Sequence, residues 1–221
     1  MLAKDVINHV LPVLKSADTV GDALGWMDEY RVGQLAIVEN AEYRGLISQD
    51  ILLEADEELP LLALQPGYQE VFVLAEQHLY EVLSVAQKHE LEVIVVLDEE
   101  RKYSGTIVVT ELLNILTKKL GSQELGAIIE IALENRSYSL SEISRLIEAN
   151  DTKIISSYYT TGDESSNFKD ILTLKLNRRD ITPVVATLER FEYQIIGAYS
   201  FEPIETPDKE RFDLLMKYLD L

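Results

Sequence analysis

The chain contains no cysteine, which excludes disulfides, thiolate catalysis and cysteine-ligated metal sites. Histidine is nearly as scarce. His9, His78 and His89 are scattered, and the last two fall about three turns apart on one predicted helix. They cannot share a metal without a third element, so no metal site is expected and cap or surface roles are favoured. No HExxH, Walker loop, GxSxG or GxGxxG occurs, so the common catalytic and phosphate-binding signatures are missing. No apolar run reaches eighteen residues, so no membrane-spanning helix is expected. The opening MLAKDVINHVLPVLKSAD lacks the basic and apolar regions of a secretory leader, which makes the cytoplasm the expected location.

Positive charge is also short. Twenty basic residues face 39 acidic ones, for a net charge of -19. Nucleic acid and anionic membrane both need a positive surface, so neither is expected as a partner. The imbalance runs through the whole chain, with no basic patch in either half. A field of this kind chiefly confers solubility.

What is present is a folded composition, 47% hydrophobic and 27% charged, over 221 residues. That length suits one large domain or two small ones. Residues 12–53 and 72–116 repeat one order of elements. Each copy starts with a short apolar strand, Val13–Leu14 or Val71–Leu74. An amphipathic helix follows, with Val20, Ala23, Leu24 and Met27 on the apolar face of the first and Leu79, Val82, Leu83 and Ala86 on that of the second. Thr19 is the expected cap of the first, with Asp22 completing a capping box. Two strands come next, Leu35–Val38 with Tyr43–Ser48 and Val93–Leu97 with Tyr103–Val109, the second of each pair built around Gly45 or Gly105. A helix closes each copy. Thr110 is the expected cap of the second closing helix, with Lys118, Lys119 and Gly121 at its end. One copy is too small to hold a core alone, whereas two can share one. The acidic, Pro66–Gly67-containing stretch 55–68 reads as the linker.

The rest of the chain follows the order βαββαβ, the ferredoxin-like arrangement. Gly126–Leu133, Lys153–Thr160, Ile171–Leu176 and Tyr193–Ser200 are the predicted strands. Ser139 and Glu142 form a capping box for one helix, Asp180 caps the other, and residues 161–167 turn a hairpin. Residues 207–221 read as a short amphipathic helix bearing Phe212, Leu215 and Leu219. Expected domains are therefore 1–58 and 59–121 for the two repeats, 122–206 for the βαββαβ unit and 207–221 for the terminal helix.

The duplicated element order and the segments Gly45–Ser48 and Gly105–Val108 resemble a tandem pair of cystathionine-β-synthase (CBS) domains, or Bateman module. Residues 125–202 resemble an ACT domain. Together the architecture is similar to CBS-CBS-ACT proteins of the acetoin-utilisation accessory type. The resemblance implies a regulatory rather than catalytic protein, a homodimer, with no required cofactor and with AMP, adenosine or a similar adenosyl ligand between the repeats. It places a hydroxyl three positions after the strand glycine and an aspartate six after it, the carboxylate accepting from the two ribose hydroxyls.

Here Ser48 holds the hydroxyl position, with Gln49 beside it, and Asp50 falls five after Gly45 rather than six. In the second copy Val108 replaces the hydroxyl, Glu111 holds the acidic position and Thr110 precedes it. The simpler alternative makes Ser48 and Asp50 helix caps and Glu111 a partner of the helix dipole. Neither glycine segment carries a basic residue, which favours AMP or adenosine over ATP. The ACT resemblance implies an amino-acid site at the loop after the first strand. There the acidic-x-Pro-Gly pattern is absent and Asn135, Arg136 and Ser137 are the candidates. Trp26 is read as a packing or interface residue, and Tyr158, Tyr159 and Tyr199 as one aromatic cluster on the sheet. Two further readings stand beside ligand sensing: a constitutive interaction scaffold with degenerate clefts, and an enzyme whose site is assembled only in space.

Overall fold

A computed structural model describes residues 1–133, 139–162 and 170–200, and the chain divides into two compact units, Met1–Ile115 and Leu116–Leu221.

The front unit contains the two repeats. In the first, α1 (Val20–Tyr30) leads to the antiparallel pair β1 (Gln34–Glu39) and β2 (Glu42–Ser48), then to the short α2 (Gln49–Leu53). In the second, β3 (Val73–Leu74) precedes α3 (Leu79–His89), the antiparallel pair β4 (Val93–Leu97) and β5 (Tyr103–Val108), and α4 (Val109–Lys119). β3 lies parallel to β4. Its counterpart in the first repeat shrinks to a single parallel bridge, Leu14 to Ile37, so the strand expected at Val13–Leu14 does not form. The strand expected from Val71 begins only at Val73.

The two long helices are built alike. Thr19 Oγ1 accepts the Asp22 N–H at 3.1 Å, and the Asp22 carboxylate accepts the Thr19 N–H at 3.2 Å. In α3 His78 takes the cap position, its Nδ1 accepting from Tyr80 N–H at 3.3 Å. Both helices end on a left-handed residue, Arg31 at φ 55° and Glu90 at φ 53°. Such ends satisfy the last carbonyls and turn the chain sharply into the following strand.

One core serves both repeats. Leu14, Val20, Met27, Leu35, Ile37, Ile47 and Leu52 of the first pack in one cluster with Leu61 and Val93 from beyond it, and Trp26 is half-buried against them. Each repeat also lends its leading segment to the other. The 66–67 segment crosses β2, with Leu46 and Gly67 exchanging N–H···O bonds of 2.9 Å. The chain start crosses β5, with Asn8 N–H donating to the Thr106 carbonyl at 2.7 Å. Close crossing is why glycine stands in both strands. A Cβ on Gly45, at φ +140°, would lie 2.6 Å from the Gly67 carbonyl and 2.9 Å from Pro66 Cβ. One on Gly105, at φ +154°, would lie 2.4 Å from Ile7 Cγ2.

The rear unit is a four-stranded antiparallel sheet of order β7-β8-β6-β9, formed by β6 (Ala127–Leu133), β7 (Ile154–Thr160), β8 (Asp170–Leu176) and β9 (Gln194–Tyr199). With α5 (Leu140–Glu148) after β6 and α6 (Thr182–Arg190) after β8, it is the ferredoxin-like βαββαβ fold. Alternation decides the faces. Ile129 and Ile131 of β6 and Leu172, Leu174 and Leu176 of β8 point inward. There they meet Ile143, Leu146 and Ile147 of α5 and Val184 and Leu188 of α6.

Three expected caps differ. Ser139 does cap α5, its Oγ accepting Glu142 N–H at 3.2 Å, but the box stays half made. The Glu142 carboxylate instead accepts the Tyr193 hydroxyl at 2.8 Å, a charge-assisted bond. Asp180 precedes the actual cap residue, Ile181, and accepts the Thr182 N–H at 3.1 Å from there. Thr110 is inside α4 rather than ahead of it, because the helix starts straight off β5 and the Val109 N–H is already taken by the Glu92 carbonyl.

The tyrosines do not form one cluster. Tyr158 and Tyr159 lie on β7 and Tyr199 on β9, the opposite edges of the sheet. The expected hairpin turn falls largely, and the terminal helix wholly, outside the described residues.

Two outcomes follow for stability. Gly45→Ala should lower stability by about 1–3 kcal/mol, because backbone atoms block the new methyl. Gly25→Ala, inside α1 with nothing within 4 Å, should raise it by about 0.5–1 kcal/mol. Urea midpoints of the two variants check the contrast. Burial and the adjoining Glu142 push the Tyr193 phenol up to about 12. A raised phenol pKa stabilises the fold while Tyr193 stays protonated. That contribution should be complete below pH ~10 and fade as pH rises toward 12. Tyr193→Phe should remove this part of the alkaline loss in a pH series of thermal midpoints.

Candidate functional site

The residues singled out in the front unit sit at its two strand–helix junctions. Ser48 ends β2 in the cap position of α2, at φ -99° and ψ 154°, yet its side chain makes no cap hydrogen bond. The hydroxyl is thus left half-buried and open. Gln49 and Asp50 begin α2 and are exposed, and the Asp50 carboxylate has no partner among the described residues. Both junctions have the same length, since α2 follows β2 and α4 follows β5 without a spacer. Asp50 therefore corresponds to Thr110, and Ile51 to Glu111. Asp50 points about 100° around its helix from the Glu111 direction.

The two junctions are joined across a seam between the repeats. Gln49 N–H donates to the Gly33 carbonyl at 2.9 Å, and Val109 N–H to the Glu92 carbonyl at 2.9 Å. Between them the Glu92 carboxylate accepts Gly33 N–H at 2.7 Å, and Gln34 Oε1 accepts Glu92 N–H at 3.1 Å. This brings Ser48, Gln49 and Asp50 to one side of the seam and Thr110 and Glu111 to the other. Glu111 is engaged from a third direction, by Asn8 Nδ2 at 2.7 Å.

Sequence reasoning passed over Glu92 and Asn8. A signal for Glu92 existed: aligning the repeats sets it opposite Gly33, a carboxylate facing a residue with no side chain. For Asn8 there was none, since its partner is 103 positions away. Asn135, Arg136 and Ser137 lie outside the described residues.

Two other clefts contain none of these residues. One of about 370 Å³ lies at the hairpin tips, with Tyr43, Arg44, Phe72, Arg101 and Lys102 among its walls. Burial pushes the Tyr43 phenol strongly upward, and its hydroxyl donates to the Tyr68 carbonyl at 2.8 Å. The other, about 350 Å³ in the rear unit, is lined by Asn150, Thr152, Arg178, Arg179, Asp180 and Pro183. Among the described residues no group of three His, Asp or Glu is placed to hold a metal ion, and no helix is long and apolar enough to cross a membrane.

Paired strand–helix junctions, one in each repeat and meeting at one seam, define the CBS-domain pair as the fold of the front unit. Three solved structures are similar to this chain. A CBS domain pair/ACT domain protein from Thermotoga maritima, 21% identical, matches with a TM-score of 0.50 over 54% of this chain and 99% of its own. An acetoin utilization protein from Vibrio cholerae, 24% identical, matches with a TM-score of 0.48 over 56% of this chain and 95% of its own. The cytosolic domain of the Mg2+ channel MgtE in complex with ATP, 19% identical, matches with a TM-score of 0.45 over 52% of this chain and 48% of its own. No family model and no curated protein matches the sequence. At such identities the likeness is one of fold.

The seam yields a direct expectation. Glu92→Ala leaves Gly33 N–H without its acceptor and should cost about 1 kcal/mol. Glu92→Gln, which keeps a carbonyl oxygen there, should cost less, as read from urea midpoints.

Proposed function

We propose that this protein is a non-enzymatic, ligand-sensing regulator whose CBS pair takes one small adenosyl ligand, such as AMP or adenosine, at the β2–α2 junction. The observation that carries the reading is the state of Ser48 and Asp50. A hydroxyl in cap geometry that makes no cap bond, beside an exposed carboxylate, offers a donor and an acceptor that no other described residue engages. Neither Gly45–Ser48 nor Gly105–Val108 has a cation for a polyphosphate, which supports a nucleoside or monophosphate. The ferredoxin-like unit is read as an ACT-type domain serving self-association or relay, and the protein as a cytoplasmic homodimer. Leu53 and Leu113, 66% and 60% exposed at corresponding positions of the two closing helices, support a two-fold contact with a second copy. A ligand that binds two orientations of the repeats unequally shifts their balance, and that shift is the signal to a protein target.

A second reading has an observation of its own. Val108 carries no hydroxyl and Glu111 is already bonded, which favours a constitutive scaffold for the second junction and, if the first is also silent, for the whole chain.

Thermal denaturation with AMP, adenosine, ATP and S-adenosylmethionine separates the two. A ligand at a hundred times its dissociation constant should stabilise by about 2.7 kcal/mol. Ser48→Ala and Asp50→Asn should abolish that shift without lowering the unliganded midpoint. Unchanged midpoints with all four compounds would leave the scaffold as the reading.

A further inference from the structure

The two junctions are not equivalent, and Asn8 makes the difference. Its carboxamide is engaged at both ends. Oδ1 accepts the N–H of Val10 at 2.8 Å and of Leu11 at 2.9 Å. That double acceptance fixes which end of the group is oxygen. The nitrogen end therefore faces Glu111 and donates to Oε1 at 2.7 Å. The segment bearing Asn8 is held along its length. Ala3 N–H donates to the Gln77 carbonyl at 2.9 Å, Lys4 N–H to that of Ala75 at 3.0 Å, and Asn8 N–H to that of Thr106 at 2.7 Å. Lys4 Nζ and Glu76 add an ion pair of 2.6 Å. The first junction has no such arrangement. Gly67 crosses β2 where Asn8 crosses β5, and it has no side chain to offer. Ile51 stands where Glu111 stands.

We infer that Asn8 is an internal stand-in for a ligand's hydroxyl donors: it occupies Glu111 and closes the second junction, so that the chain takes one adenosyl ligand and not two. The inference rests on the ligand reading of the first junction. A ribose would present two hydroxyl donors to a carboxylate. At Glu111 one oxygen already holds an N–H from the same chain. A tethered donor is present at a high effective concentration, and a free ligand must displace it. Val108 leaves the junction without the hydroxyl as well, so both residues have to change before it opens.

The test counts AMP bound per chain, by equilibrium dialysis of the full chain at saturating AMP. Wild type and Val108→Ser should bind one, and Asn8→Ala with Val108→Ser should bind two. Adding Glu111→Gln to that pair should return the count to one. Asn8→Asp replaces Asn8→Ala if the alanine loosens the segment, since it keeps the acceptor for Val10 and Leu11 and removes the donor. Two AMP on Val108→Ser alone would overturn the inference, as would one on the double variant when wild type binds one. If wild type binds none, the ligand reading of the first junction fails. The inference then stands on a gain of one site in the double variant over Val108→Ser, and falls if that gain is absent.

Discussion

The front unit depends on a reciprocal crossing: each repeat gives its leading segment to the sheet of the other. Leu46 and Gly67 bond both ways at 2.9 Å, and Asn8 bonds Thr106 at 2.7 Å. Backbone can approach backbone this closely only where a side chain is missing, which sets glycine at 45 and Ile7 against glycine at 105. The shared cluster around Leu35, Leu61 and Val93 follows from the crossing, because neither repeat closes its own interior. The seam follows too, since Glu92 and Gly33 meet only when both copies are in place.

Much of this was legible in the sequence. Apolar spacing marked α1 and α3, β-branched runs marked the strands, and the duplication marked the shared core. The βαββαβ order of the rear unit was readable from the alternation of Leu172, Leu174 and Leu176 and from the Ser139 cap. The departures have one main physical cause. Local pattern reads local competition, and two of the three differing caps were lost to a distant partner, while Asp180 serves α6 from one position ahead of the cap. Glu142 was drawn to Tyr193, and Val109 found the Glu92 carbonyl before Thr110 could serve. Single strands are equally exposed to this. Leu14 keeps only one bridge, which no apolar count could distinguish from a strand.

The candidate site was legible as positions and not as states. Ser48, Asp50, Thr110 and Glu111 could be placed by counting from the two glycines. Whether each side chain was free or engaged depended on hydrogen bonds made from elsewhere. The two junctions differ in three respects: the acid falls five residues after one glycine and six after the other, valine stands in place of a hydroxyl, and an asparagine reaches only the second from a crossing segment.

The crossing also bears on how the chain reaches its native form during synthesis. The first repeat emerges complete in sequence but with β2 missing its neighbour until residues 66–67 appear, and the opening residues have nowhere to settle until β5 exists. Closing contacts of such long range is entropically slow. The edge of β2 is uncovered until residues 66–67 emerge, and the apolar side of the chain start until Thr106 is in place, windows in which pairing with a neighbouring chain competes with self-completion.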